Sequence, residues 1–553
     1  MTNFRHKQIR IGGSRSKKGC TTCKIRKVKC DETKPSCKRC VSTGRKCDGY
    51  EPVSTLAIAS SPKPFQQISA APLCRTLLYR TAHGSAHVHG YFYHHCLEQV
   101  FGGSQFKWIQ PLIAQLGEHD DAISAAVVAF SSMHKAEFLF SQDNSFILQS
   151  SDGSDARRKK SATNLGEILA AATAYGKSVR ALQKRIDQGG RVAVPIALVC
   201  CILFAAFNMI QCDYDGAVRH IEYGLGIVAK EQTIERSGGK PCLPGWSTTA
   251  ADSTMSALVS GFQRLAIAAF FYGRTETLLQ EQITIAPSPL ATQRLSGPSF
   301  AHIHEARSSL TLVAGSVLKF AADVSSYHSS GTSPPLECIG ERDKKLEYIY
   351  AWRAAFLAIS SVSDGGGTDP ISIRMLHLLL DSQLLALIVV LRTSLDLDET
   401  GYDECFDEFR QILILCQEYI SIYSSSSTVT GTSRQVDDFT FDMEILPQLW
   451  LIGKKCRHRQ YRRWGIDLLH KYRRKEGVWD PALICNLAKR TMEIEEANVP
   501  SDDTSLPSNL DRLWMVDLDS RYANGSLAQF AYKPTTLGGR GLSWEEMILT
   551  DPQ

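Results

Sequence analysis

The chain has 553 residues, 43% of them hydrophobic, so it is long enough for more than one domain and apolar enough for a large core. Its formal charge of +5 hides a split: residues 1–50 hold 15 Lys and Arg against three acidic side chains, whereas the remainder hold 47 against 54. A basic head on a mildly acidic body confines a polyanion partner to the head. No apolar segment of the secretory kind follows the start, and the longest apolar run, 192–207, is 16 residues with Pro195 inside it. That is short for a membrane span and suits a buried core helix, so a soluble intracellular protein without a membrane partner is expected.

In chain order, residues 1–18 are polar and rich in Gly, Ser, Lys and Arg, which reads as a disordered basic arm. Residues 19–50 follow, with cysteines at Cys20, Cys23, Cys30, Cys37, Cys40 and Cys47. The spacing is C-x2-C-x6-C, a six-residue loop, and C-x2-C-x6-C again. A C-x2-C pair can bring two thiolates to one ion, so two such pairs form a metal-ligand pattern. Two tetrahedral zinc sites need eight ligand positions, and six cysteines fill them when two are shared between both ions. The competing reading, a disulfide framework, fits poorly with the absent signal peptide and the Lys and Arg between the thiols.

These residues resemble the fungal zinc-binuclear-cluster (six-cysteine) transcription factors. The resemblance implies a small zinc-stabilised module of two short helices, one after each C-x2-C pair, the first docked in the major groove of DNA. Here that helix is Lys24-Ile25-Arg26-Lys27-Val28-Lys29, and Pro35 matches the family's loop proline. Cys20 and Cys37 are implied as bridging thiolates, with Cys23 and Cys30 completing one Zn2+ and Cys40 and Cys47 the other. Lys27 is implied as the base-edge reader with Arg26 beside it, on a CGG-type half-site, because Lys and Arg donors suit guanine O6 and N7. Lys24, Lys29, Lys38 and Arg39 are assigned to phosphates, and Ile25 and Val28 to packing against the second half. The implied function is regulation of RNA polymerase II genes of a metabolic or secondary-metabolite set, in the nucleus, on double-stranded DNA and with the transcription machinery as partner. Lys17, Lys18 and the run Arg26–Lys29 are candidates for nuclear import.

Residues 51–78, with Pro52, Pro62, Pro64 and Pro72, read as a linker. No sustained heptads appear there, so a coiled-coil dimer next to the cluster is not expected, and a homodimer through the large domain stays open. Residues 79–500 read as an all-α regulatory domain of stacked helical hairpins: 120–138, 165–186, 195–210, 217–228, 255–272, 300–324, 343–359, 371–393 and 403–424. Three further helical elements lie within 446–496, and the segment 441–496 resembles the C-terminal part of the fungal-specific regulatory domain of these factors. Polar insertions are expected at 141–163, 233–252 and 424–438. The run from Lys454 to Arg459, with Arg462 and Arg463, reads as a solvated helix face. The tail 501–553 reads either as an acidic–hydrophobic activation segment or as a final strand packed on the body.

No catalytic motif stands out: there is no Walker loop, G-x-G-x-x-G, G-x-S-x-G or H-E-x-x-H. The sequence His302-Ile303-His304-Glu305 reads as the polar turn opening a helix. The expectation is therefore a non-enzyme. The other reading left standing is a zinc-stabilised protein–protein adaptor that never touches DNA.

Overall fold

The computed structural model describes residues 20, 22–23, 26, 28, 30–33, 36–47, 89–97, 109–117, 119–147, 154–188, 193–237, 258, 261–267, 298–329, 332–359, 370–396, 398–429, 439–500, 505–522, 525–532 and 543–549. The chain divides into two units, Met1–Gln66 and Gln67–Gln553. The basic arm, the linker 51–78 with its four prolines, and much of the expected helix over 255–272 lie outside the described residues.

In the first unit, the described helix is α1 (Lys38–Val41), following a helical turn at Thr22 and Cys23. The second unit is largely helical. A short π-helical turn (Phe92–Cys96) precedes α2 (Ile109–Gly117), α3 (Asp121–Ile147), α4 (Ser154–Asp187), α5 (Ala193–Ile210) and α6 (Tyr214–Arg236). After the helical stretch 261–267 come α7 (Ile303–Ser329), α8 (Leu336–Leu357), α9 (Pro370–Thr393) and α10 (Phe406–Val429). The last helices are α11 (Leu446–Lys455), α12 (Arg459–Lys471) and α13 (Pro481–Glu495).

One apolar core runs through this unit. All but two residues of α5 are buried, because the helix is apolar on every side and is wrapped by α3, α4 and α6. The helices α5 and α9 are both long and apolar enough to cross a membrane, yet 83% and 67% of their apolar windows are buried against neighbours. They are core helices of the body. Caps set several boundaries: Asp120 Oδ1 accepts from Ala122 N at 2.9 Å, and Asp480 Oδ1 accepts from Ala482 N and Leu483 N at the start of α13. His302 Nδ1 accepts from Glu305 N (3.2 Å) while Glu305 accepts from Ala301 N (2.9 Å), so the His302–Glu305 stretch is a helix-opening turn. A Cβ at Gly453 would stand 2.6 Å from that of Ala488, and this glycine lets α11 lie directly on α13.

The tail takes the second of its two expected readings, with strands packed on the body. The C-terminal stretch forms an antiparallel sheet in the order β3 (Leu513–Tyr522), β4 (Gly525–Tyr532), β5 (Ser543–Leu549), packed on α13. In β5 the acidic–hydrophobic alternation is the two-residue period of a strand. Glu545 and Met547 are exposed, Ile548 is buried, Trp544 stacks on Phe530, and Glu546 pairs with Arg490 at 2.8 Å. In addition, α3 and α4 extend into the polar stretch 141–163 from both sides.

The basic run after α11 is the larger correction. It is not a solvated face: Lys455, Arg457 and Arg462 are buried. Arg457 pairs with Glu495 at 2.7 Å and Glu399 at 3.1 Å, Lys455 with Glu399 at 2.7 Å, and Arg462 with Glu495. Arg457 also donates to Leu513 O (3.3 Å) and Lys455 to Trp514 O (3.0 Å), so the network ties α11, α12 and α13 to β3. Burial pulls the Lys455 ammonium down to about 8 against the opposing charge of Glu399. Buried charges of this kind persist only where carboxylates and backbone oxygens replace water. A short parallel pair joins β1 (Phe439–Thr440) to β2 (Lys475–Glu476). There the buried Glu476 accepts the amides of Glu444, Ile445 and Leu446 at 2.8, 3.0 and 3.0 Å, leading into α11.

Candidate metal centre and nucleic-acid interface

The six cysteine sulfurs gather in two overlapping groups of four, Cys20, Cys23, Cys30 and Cys37, and Cys20, Cys37, Cys40 and Cys47. Within each group all four sulfurs lie within 4.8 Å of one another, and Cys20 and Cys37 belong to both. The Sγ–Sγ separations are 3.6 Å for Cys20–Cys37, 3.7 Å for Cys23–Cys37 and 3.8 Å for Cys20–Cys40. A tetrahedral zinc with Zn–S of about 2.3 Å has sulfur–sulfur edges of about 3.8 Å, so the donor set fits that ion. Cys23 and Cys40, one from each group, are also 3.8 Å apart, so the two groups are pressed together.

The two halves repeat locally with an offset of 17 residues. Cys23 N donates to Cys20 Sγ at 3.4 Å, and Cys40 N to Cys37 Sγ at 3.3 Å. Cys20 N donates to Cys30 Sγ at 3.4 Å, and Cys37 N to Cys47 Sγ at 3.5 Å. Val28 N closes on Cys23 O, as Arg45 N does on Cys40 O. Each C-x2-C pair thus opens a helical turn in which the amide of its second cysteine donates to the sulfur of its first, which favours thiolate there. Gly44, at φ +64°, makes the turn after α1 that a side chain would strain.

The thiols are buried except Cys47, which is partly so. Burial first, and then contacts with the Cys23 and Cys47 sulfurs, push Cys20 up to about 12, and burial also raises Cys23 and Cys37. A divalent cation reverses that balance, because a coordinated thiol is held as thiolate. Outside the cluster, none of the described cysteines is in a disulfide, and most are buried.

Asp31 is a residue the sequence reading missed. Its carboxylate accepts from Lys38 N and Arg39 N, both at 3.0 Å, and from the Thr33 hydroxyl. The Thr33 hydroxyl and these amides hold it well below the usual carboxylate range. It reaches from the inter-half loop to the open amides at the start of α1, and its signal was an acidic residue directly after Cys30.

Of the cations assigned to DNA, Lys38 and Arg39 stand exposed on α1, and Arg26 is half-buried with Nη1 donating to Thr43 Oγ1 at 3.3 Å. Thr43 is Arg26's own counterpart 17 residues on, so that bond links the halves across the repeat. Lys24, Lys27, Lys29, Ile25 and Pro35 lie outside the described residues, and Val28 packs on the cysteine cluster. The repeat exposes an asymmetry of charge. Positions 24–29 read K-I-R-K-V-K, and their counterparts at 41–46 read V-S-T-G-R-K. That stretch holds four cations in the first half and two in the second, although Lys38 and Arg39 bring each half to four.

A family model described as the fungal Zn(2)-Cys(6) binuclear cluster domain matches residues 18–55. The chain is similar over most of its length to the aspercryptin biosynthesis cluster-specific transcription regulator of Emericella nidulans, at 24% identity over 94% of each chain. It is also similar to the transcription regulator lscL of Purpureocillium lilacinum, at 24% identity over 66% of this chain and 85% of that one. The transcriptional regulatory protein moc3 of Schizosaccharomyces pombe is 58% identical over 36 residues, 6% of this chain and 7% of that protein. No solved structure matches. Residues 18–55 are thus a fungal Zn(2)-Cys(6) binuclear cluster domain, in a chain similar along most of its length to proteins named as fungal transcription regulators.

Proposed function

We propose that this protein is a nuclear, sequence-specific DNA-binding regulator of RNA polymerase II genes that reads a CGG-type half-site through two zinc ions and the first half of its cluster. The observation that carries the reading is the pair of four-sulfur groups sharing Cys20 and Cys37, in a module whose first half carries four cations between its second and third cysteines against two in the second half. Cys20 and Cys37 bridge the two ions, Cys23 and Cys30 complete one, and Cys40 and Cys47 the other. Zinc supplies the folding energy that such short helices lack on their own. Two ions and six thiolates leave a net charge of −2, so neighbouring Lys and Arg neutralise the cluster as well as the DNA.

Lys27, with Arg26 beside it, donates to the guanine edge; Lys24, Lys29, Lys38 and Arg39 meet phosphates and set the salt dependence. The regulated set is a secondary-metabolite gene group, a reading supported by the Emericella nidulans relative, which is named as a biosynthesis cluster-specific regulator. The helical body serves as the regulatory part, contacts the transcription machinery and is the place for any homodimer.

The test is a binding titration of the full chain, zinc-loaded, on CGG-containing and scrambled duplexes at physiological salt. A preference of about tenfold or more for CGG supports the reading. Equal binding to both would leave only non-specific electrostatics, and binding to neither would favour the protein–protein adaptor.

A further inference from the structure

The apolar positions of α4 fall on two faces. Ala171 and Ala174 are buried against the body with Ser178, whose Oγ donates to Ala122 O at 2.6 Å. Leu165, Leu169, Val179 and Ile186, with Ile168 beside them, instead stand 38–59% exposed. The exposed row follows 165, 169, 172, 176, 179, 183 and 186, alternating steps of four and three, with Ala172 and Gly176 at its middle and Gln183 as its polar member. That is the spacing of a helix–helix seam three heptads long, about 33 Å at 1.5 Å per residue. Single exposed apolar side chains are ordinary, but an array of them in register along one helix marks a surface that another element covers.

Gly176 points the same way. A glycine inside a helix weakens it relative to alanine. Among the described residues, only the flexible end of the Arg180 side chain comes near the position its Cβ would take, at 3.5 Å, so the body supplies no packing reason for this glycine. At the middle of the row it lets a second helix approach closely.

Charge selects the occupant and its direction. Lys177, Arg180 and Lys184 are exposed and belong to the second half of the row. The first half, 165–175, carries no cation and one carboxylate, Glu167, which pairs with Lys135 at 2.6 Å. Two copies of α4 laid parallel would set each cation against itself. Laid antiparallel about a two-fold axis at Gly176, they set Leu165 against Ile186, Ala172 against Val179, and Lys184 against the stretch that holds Glu167. The basic half of each copy then meets the cation-free half of the other. A seam of this length and about one helix diameter in width has a footprint of roughly 300–400 Å² on each copy, below the ~800 Å² per partner of a standard stable interface, so the association is weak and reversible.

We propose that α4 pairs antiparallel with α4 of a second copy, making the body a reversible homodimer. The inference gives a surface to the homodimer placed in the body above and does not rest on DNA binding; an assay without DNA leaves the CGG preference to its own titration.

Sedimentation velocity of the zinc-loaded full chain over roughly 1 to 100 μM, the range of a weak interface, tests it. The mass is expected to move from 61.2 kDa toward twice that value as concentration rises. Leu169→Glu, at an exposed position, is expected to stay a folded monomer throughout; Ile186→Glu repeats the test should that variant not fold. Gly176→Leu is expected to weaken the dimer about tenfold or more, because the close approach is lost. Under copper phenanthroline, Leu165→Cys mixed with Ile186→Cys is expected to crosslink position 165 of one copy to 186 of the other, mapped by mass spectrometry. A chain monomeric at every concentration would overturn the proposal together with the homodimer reading. An unchanged dimer in the glutamate variants or in Gly176→Leu would overturn the seam and move the homodimer to another face. A crosslink joining 165 to 165 in Leu165→Cys alone would overturn the antiparallel geometry.

Discussion

Glu495→Gln removes one charge and almost no volume from the centre of the buried network. Glu495 is fully buried and accepts from Arg457 at 2.7 Å, from Arg462, and from the amide of Leu513 at 2.8 Å. Burial opposes its ionisation, but Arg462 and Arg457 outweigh it and hold the carboxyl at about 2, against an ordinary 4.5. That difference converts to about 3 kcal/mol at neutral pH. It agrees with the roughly 3–5 kcal/mol lost when one partner of a buried ion pair is removed. Because the folded-state value is depressed, the stabilisation is complete above about pH 4.5 and is lost as the pH falls toward 2. Urea unfolding of the full chain, followed by the fluorescence of buried tryptophans such as Trp352 and Trp479, reads the effect. The variant is expected to unfold about 3 kcal/mol earlier at pH 7, with the gap closing below pH 4.5. A midpoint equal to the wild type at pH 7 would refute the network as a stabilising element, and a gap that does not narrow in acid would refute the charge argument.

Asp442→Asn should show the opposite pH trend. The Asp442 carboxyl is raised, so its protonation favours the fold, and the variant's deficit is expected to grow as the pH falls through 6 toward 4 in the same unfolding assay. Lys27→Ala is expected to lose the preference for CGG over scrambled duplex in a binding titration while keeping low-salt non-specific binding. Asp31→Ala leaves the amides of Lys38 and Arg39 without their carboxylate and is expected to speed zinc loss to a chelator, read with a zinc-responsive dye. An unchanged release rate would make the Asp31 contact incidental.

The cluster was legible because its chemistry is written in short-range spacing. Cys20 to Cys47 repeats with one offset, and the sulfur groups follow that repeat. The helices from α3 onward were legible from apolar periodicity, and α5 from its lack of a polar side. The basic run from Lys454 to Arg463 was misread because the carboxylates that make its burial tolerable are remote: Glu399 is 56 residues from Lys455, and Glu495 is 38 from Arg457. A cation in an amphipathic helix looks solvated until its counter-charge is folded onto it. Asp31 escaped notice for a related reason, since its partners are backbone amides, which a sequence does not display. At the C-terminus, β5 shares its acidic–apolar alternation with unstructured segments, and only its pairing with β4 separates the two.

The central claim is a binuclear cluster whose two ions share Cys20 and Cys37. Native mass spectrometry of the full chain counts the metals directly, in the wild type and in Cys37→Ser. Two zinc ions on the wild type and none on the variant are predicted, because Cys37 stands in both sulfur groups. Retention of both ions by Cys37→Ser would contradict the shared-ligand account.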